Sequence, residues 1–148
     1  AKNLVRDPGI SIVTEAALAR DSGFASAMHD PTEGGLATGL RELARAGGCG
    51  MRIHRERIPV LDLAAGILPL FSMDPLGALA SGSLIVCCRS EGARPILDAW
   101  ARAGIEGSVI GEVTGEPDVL LVEDGIARPL PEFPADEIAK IYAKAGQG

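Results

Sequence analysis

One stretch constrains this chain more than any other: Ala27-Met28-His29-Asp30-Pro31-Thr32-Glu33-Gly34-Gly35-Leu36-Ala37. It predicts the end of a buried strand, a sharp polar turn and a helix start that carries two glycines. Asp30, Pro31 and Glu33 suit a helix cap, a first helical residue and the acid of a capping box. None of that requires glycine, and each glycine inside a helix costs about 1 kcal/mol relative to alanine. Gly34 and Gly35 therefore call for a close approach to the backbone, by a packed neighbour or by a ligand.

The rest of the chain supplies partners for such a strand and helix. Ser11 to Asp21 has an alanine-rich helical pattern, and Phe24 to Met28 follows as a short strand. The helix after the motif is predicted over Pro31 to Ala46. Leu36, Leu40, Leu43 and Ala44 share one face, Arg41, Glu42 and Arg45 take the other, and Gly47-Gly48 stop it. Met51 to Arg55 alternates as a half-exposed strand, and Leu61 to Phe71 is apolar and helical until Pro69 breaks it. Asp74 to Gly82 is a second irregular, glycine-bearing segment. It feeds Ser83 to Cys88, an almost continuous apolar run of the kind found in strands covered on both faces. Glu91 to Ala103 is an amphipathic helix with Ile96, Leu97 and Trp100 inward. Val109 to Val113 and Val119 to Val122 read as strands, Glu123-Asp124-Gly125 as a hairpin into Ile126-Ala127-Arg128, and Ala135 to Ala145 as a last helix. Interleaved strands and helices predict an α/β (α+β) single domain, a mixed β-sheet flanked by helices.

Charge and composition remove several function classes. The 148 residues suffice for one domain with a proper core. A net charge of −6, from 14 basic and 20 acidic residues with no Lys/Arg run, argues against nucleic acid as a partner. Aromatics at 3% exclude base-stacking platforms. Apolar stretches such as Leu63 to Phe71 fall short of the roughly 20 residues that a membrane span needs, and no signal-peptide pattern is seen. Cys49, Cys87 and Cys88 form no CxxC pair, and strand neighbours point to opposite faces, so no metal site is predicted. Buried free thiols in a reducing cytoplasm are the expectation.

Candidate chemistry gathers at the opening motif. His29 suits substrate orientation or acid–base work, or a structural place in the turn. Asp30 suits the helix cap, or a metal or ligand hydroxyl, and the two roles can coexist. Backbone N–H groups of Thr32 to Gly35 can face a phosphate, yet Asp30 and Glu33 repel an anion, so Mg²⁺ or a cation from elsewhere would be needed. Ser81-Gly82 is either a backbone contact to the same cleft or a plain turn into the strand. The lysine of a P-loop, the Rossmann spacing and GxSxG are all missing. His54, between arginines on an alternating strand, reads as part of a solvated face.

Met28 to Ala37 as a string closely resembles the motif opening the C-terminal domain of the aminoimidazole-ribonucleotide (AIR) synthase superfamily (PurM-like), nearest its hydrogenase expression/formation, HypE-type, branch. The likeness continues through Leu40-Arg41-Glu42-Leu43-Ala44, Ile58-Pro59-Val60, Asp74-Pro75-Leu76, Ser81-Gly82 and Val109-Ile110-Gly111-Glu112-Val113, and covers about Ser11 to Arg128. It implies a C-terminal domain, residues 11–145, after an entry segment at 1–10 left from an interdomain linker. An N-terminal domain outside this chain would mediate homodimerisation and carry Mg²⁺ and ATP ligands. The implied chemistry is ATP-dependent activation of an amide-like or carbamoyl oxygen on a small or protein-borne substrate. By position, His29 and Asp30 are the catalytic candidates, and Thr32, Gly34, Gly35, Ser81 and Gly82 would bind substrate or nucleotide. Three departures favour a related enzyme over hydrogenase maturation itself. The HypE-type terminal cysteine is replaced by Ala145-Gly146-Gln147-Gly148, the Asn-Glu-Gly string by Ala80-Ser81-Gly82, and an arginine by Glu33. The isolated chain is expected to be inactive, without tightly bound ATP or Mg²⁺. The alternative is a non-catalytic binding or assembly module on the same fold.

Overall fold

The computed structural model describes residues 9–145. In chain order these form α1 (Val13–Asp21), β1 (Ala25–His29), α2 (Gly35–Gly47), β2 (Gly50–His54), α3 (Asp62–Ile67), β3 (Ile85–Cys88), α4 (Ala93–Arg102), β4 (Gly111–Thr114), β5 (Val119–Glu123), β6 (Ile126–Pro129) and α5 (Ala139–Ala145). The interleaved order is that of the expected mixed α/β fold. The residues cluster in two compact units. The first runs to Asp30 and resumes over Ser81–Val109, and the second takes Pro31–Ala80 and the chain from Ile110 on.

In the first unit β1 and β3 pair antiparallel, from Ala25 opposite Cys88 to His29 opposite Ile85, with a bulge between Ala25 and Ala27. Its core is Ala19 of α1 with Ile96 and Trp100 of α4, joined by Leu18, Phe24, Leu84, Val86 and Leu97. The indole N–H of Trp100 donates to the Glu15 carbonyl at 3.0 Å, so the largest side chain of this core leaves no polar atom stranded. α1 stops at Ser22, whose hydroxyl donates to the Ala19 carbonyl at 2.6 Å and accepts the Phe24 N–H at 3.1 Å. The expectation for Ser83 to Cys88 needs correction. The strand is Ile85–Cys88; among the described residues it pairs with β1 alone, and of its four residues only Ile85 is buried.

The second unit carries a four-stranded sheet in the order β4-β2-β5-β6. β2 pairs antiparallel with β4 and parallel with β5, and β5 pairs antiparallel with β6, so this sheet is mixed as predicted. Met51 and Ile53 point inward while Arg52 is exposed, the period-2 alternation legible in the sequence. Asp124 and Gly125 have φ of 51° and 76°, the two positive values that a type I′ hairpin requires, and they join Glu123 to Ile126. α2 lies on β2 and β5 and buries Leu40, Leu43 and Ala44 of the predicted apolar face; Ala37 is buried as well, whereas Leu36 is only half-buried. Leu40 and Leu130 are both 1% exposed, and burial of each leucine stabilises the unit by about 1.5–3 kcal/mol. α3 turns into a 3₁₀ segment over Leu68–Phe71, where Pro69 interrupts the α-helical ladder; Leu61 and Leu70 stay exposed.

Two helices start four residues later than expected. α2 begins at Gly35 rather than Pro31, and α5 at Ala139 rather than Ala135. In both cases skipped residues, Thr32 and Gly34 before α2 and Asp136 and Glu137 before α5, make tertiary hydrogen bonds, described below. Among the described residues no helix is long and apolar enough to cross a membrane.

Candidate functional site

The start of α2 answers the question posed by its glycines. Gly34, the residue before the helix, has φ 75° and Gly35 has φ 64°, both in the left-handed region. A Cβ on Gly35 would lie 2.5 Å from the Ala78 carbonyl oxygen and 2.6 Å from that of Leu76. The neighbour that needs the missing side chain is thus a packed backbone, the loop 76–78. That loop is also held by the Ala37 N–H, which donates to the Leu76 carbonyl at 2.9 Å. At Gly34 a Cβ would strike the Thr38 hydroxyl.

The predicted cap is absent. No side chain of the motif caps α2, because the left-handed turn at Gly34 takes Asp30 to Glu33 out of helical register. The carboxylate that meets this helix start comes from far down the chain: Asp136 Oδ2 accepts the Gly34 N–H at 3.1 Å. The Gly35 N–H donates to the Thr32 carbonyl at 3.1 Å, and the Ala80 N–H reaches the same carbonyl at 3.4 Å. Neither glycine N–H is available for a phosphate in this arrangement, in contrast to the expectation of free donors.

The loop after α3 is equally well tied. Asp74 accepts the Leu76 N–H at 2.9 Å in a local Asx turn and pairs with Arg55 at 3.2 Å; Arg55 also reaches Glu123 at 3.2 Å. In the second unit, therefore, Thr32, Gly34 and Gly35 come together with the backbone of residues 76–80. Thr32 is exposed, whereas both glycines are buried.

The first unit holds the other predicted residues. His29, half-buried, ends β1 opposite Ile85, the first residue of β3. Ser81 and Gly82 lead into that same end of β3 and are exposed, as is Asp30. Gly82, φ 94°, lies against Ile10. His54, assigned to a solvated face, is half-buried with Nδ1 3.5 Å from Glu56. The three cysteines are half-buried rather than fully buried. Burial pushes the Cys88 thiol up from its ordinary pKa, and the Glu91 carboxylate adds to the effect. Among the described residues no three His, Cys, Asp or Glu side chains converge to hold a metal ion.

Sequence reasoning missed Asp136 and Glu137. They stand just before a helix and read as ordinary N-terminal acids, and nothing in their neighbourhood points to a loop 102 positions away.

A mixed sheet under helices, with a strand–turn–helix whose glycines admit a second backbone loop, defines the class. The chain belongs to the family described as AIR synthase related protein, C-terminal domain, whose profile matches residues 6–123. It is similar to a hydrogenase expression/formation protein of Methanocaldococcus jannaschii, 29% identical over 119 residues, which cover 78% of this chain and 36% of that protein. It is also 36% identical over 91 residues to the carbamoyl dehydratase HypE of Azotobacter vinelandii, covering 60% of this chain and 27% of that protein. The crystal structure of Escherichia coli HypE, a hydrogenase maturation protein, superposes with a TM-score of 0.79 at 28% identity, covering 88% of this chain and 41% of that one. The chain thus spans about a third of the length of these relatives.

Proposed function

We propose that this chain is the C-terminal substrate- and nucleotide-cleft domain of an ATP-dependent, HypE-like enzyme that activates an amide-like or carbamoyl oxygen. The observation that carries the reading is the family match over residues 6–123, joined to 36% identity with a carbamoyl dehydratase. In this reading His29 and Asp30 are the catalytic candidates. Thr32, Gly34, Gly35, Ser81 and Gly82 are the candidates for binding substrate or nucleotide. With no convergent metal-ligating set among the described residues, this chain does not fit a complete Mg²⁺ site, and no step is assigned to the ion here. ATP and its metal would be held mainly by an N-terminal domain of the same polypeptide, in a homodimer. A cytoplasmic setting is part of this reading.

Two measurements test this. The 148-residue chain alone should show no ATPase activity and only weak Mg·ATP binding by calorimetry; tight binding would contradict the division of labour. In the full-length product, ATP turnover should depend on a carbamoyl or amide substrate and fall about 10²-fold or more in Asp30→Ala, as for loss of a group acting on the reacting atoms. Unchanged turnover in that variant removes Asp30 from the site. No turnover with any such substrate favours a non-catalytic module.

A further inference from the structure

Residues 133–140 lie along the loop 72–79 and the turn at Gly34 through a set of specific bonds. The Phe133 ring packs so closely on Gly77 that a Cβ there would overlap it. Glu137 is 6% exposed; its carboxylate accepts the Asp74 N–H at 2.9 Å and pairs with Lys140 at 2.5 Å. Its own N–H donates to the Gly77 carbonyl at 3.0 Å, and Lys140 also reaches the Ser72 carbonyl at 3.4 Å. Between these anchors sits Asp136. One oxygen, Oδ2, accepts the Gly34 N–H at 3.1 Å. The other, Oδ1, accepts the Leu79 N–H at 3.2 Å and the Ile138 N–H at 2.9 Å. A carboxylate has acceptor capacity for all three, and bonds to an ionised acceptor are stronger than neutral ones.

We infer that the segment 133–140 is a latch in which Asp136 is the bolt. One carboxylate ties the Gly34 turn to the Leu79 end of the loop, in addition to the direct Ala37–Leu76 and Ala80–Thr32 backbone bonds, and lifting the segment removes that tie at Gly34 and Leu79. Phe133 and Glu137 seat the latch, and Asp136 transmits it to the turn. Asp136 is thus a positioning residue. The device stands on hydrogen bonds within one unit and does not depend on the proposed chemistry. Its consequence for ligand binding, that occupancy of these loops is conditioned by the C-terminal segment, rests on the reading above.

The test follows amide hydrogen exchange by NMR in the ¹⁵N-labelled chain, at Gly34 and Leu79, with Leu40 and Leu121 as core reporters. Asp136→Ala should speed exchange at both Gly34 and Leu79 by about tenfold or more while the core reporters stay put. Asp136→Asn keeps one acceptor oxygen and presents a donor in place of the other. It should therefore release one of the two amides and hold the other. Phe133→Ala, which unseats the segment from Gly77, should free both. The inference fails if Asp136→Ala leaves both amides within about twofold of the parent. It fails equally if Leu40 and Leu121 accelerate alongside them, which would make Asp136 a general stabiliser. Should Asp136→Ala not fold, Asp136→Asn decides: an unchanged rate at both amides overturns the latch.

Discussion

The tightest structural claim concerns Gly35, and Gly35→Ala tests it. A methyl there meets the Ala78 carbonyl oxygen at 2.5 Å, the Leu76 carbonyl oxygen at 2.6 Å and the Ala78 nitrogen at 3.0 Å. All three are backbone atoms, so no rotamer change relieves the clash, and the loop itself must retreat. Overpacking of this kind costs about 1–3 kcal/mol. The left-handed backbone, φ 64°, adds about 1–2 kcal/mol for a residue with a Cβ. Retreat of the loop also stretches the bond from the Ala37 N–H to the Leu76 carbonyl, worth about 1 kcal/mol. The sum is about 3–6 kcal/mol, a large fraction of a typical domain's stability. Gly48→Ala is the matched control: φ is 61°, but no atom lies within 4 Å, so only the left-handed cost of about 1–2 kcal/mol applies. Urea unfolding followed by far-UV circular dichroism should place the Gly35→Ala midpoint well below that of Gly48→Ala. Trp100 fluorescence reports the first unit and shows whether the two units unfold together. Equal destabilisation by the two substitutions would refute the close-approach argument, since it would leave only the backbone term they share.

Other perturbations separate structural from functional roles. Asp30 is exposed and caps no helix, so Asp30→Ala should change stability by less than about 0.5 kcal/mol in the same denaturation assay, whatever it does to activity. Trp100→Phe removes the indole N–H that serves the Glu15 carbonyl and leaves space in the α1–α4 core. A loss of about 1–3 kcal/mol is expected, and a neutral result would mean that this core is not well packed. The Cys88 thiol is raised by burial and by Glu91, so its neutral form is favoured by folding. The associated stability is present below the ordinary thiol pKa and is lost as pH rises through the raised value. Wild type should therefore lose stability relative to Cys88→Ser over that alkaline range, and iodoacetamide should label Cys88 more slowly at pH 8 than it labels a free cysteine derivative. Parallel pH profiles would contradict the assignment.

What the sequence made legible was local. The apolar stripe of α2 and its glycine stop, the Asp124-Gly125 hairpin and the Pro69 break each follow from residues within a few positions of one another, and all stand where expected. What stayed hidden was carried by distant partners. Asp30, Pro31 and Glu33 satisfied every rule for a helix start, yet the start is moved to Gly35 by a loop some forty positions on and bonded by a carboxylate 102 positions on. The same holds for the strand at β3: an apolar run of six reads as doubly covered, but burial depends on neighbours that periodicity cannot count. At the candidate site, residue types singled out the stretch around His29 to Gly35 together with Ser81 and Gly82. The division of those residues between two units was not written in their spacing.

That division has a consequence for how the chain reaches its native state. The first unit is interrupted by the whole of residues 31–80, so pairing β1 with β3 must close a loop of about fifty residues, at an entropic cost of roughly 3–4 kcal/mol for a flexible chain. The intervening segment does not remain flexible. Once the glycine turn has met its partner loop, the Ala80 N–H lies 3.4 Å from the Thr32 carbonyl, and the two ends of the interruption are already side by side. Most of the search that β1 and β3 would otherwise make is then over before they pair. Pairing of β1 with β3 therefore carries a smaller closure cost when residues 31–80 are already in place.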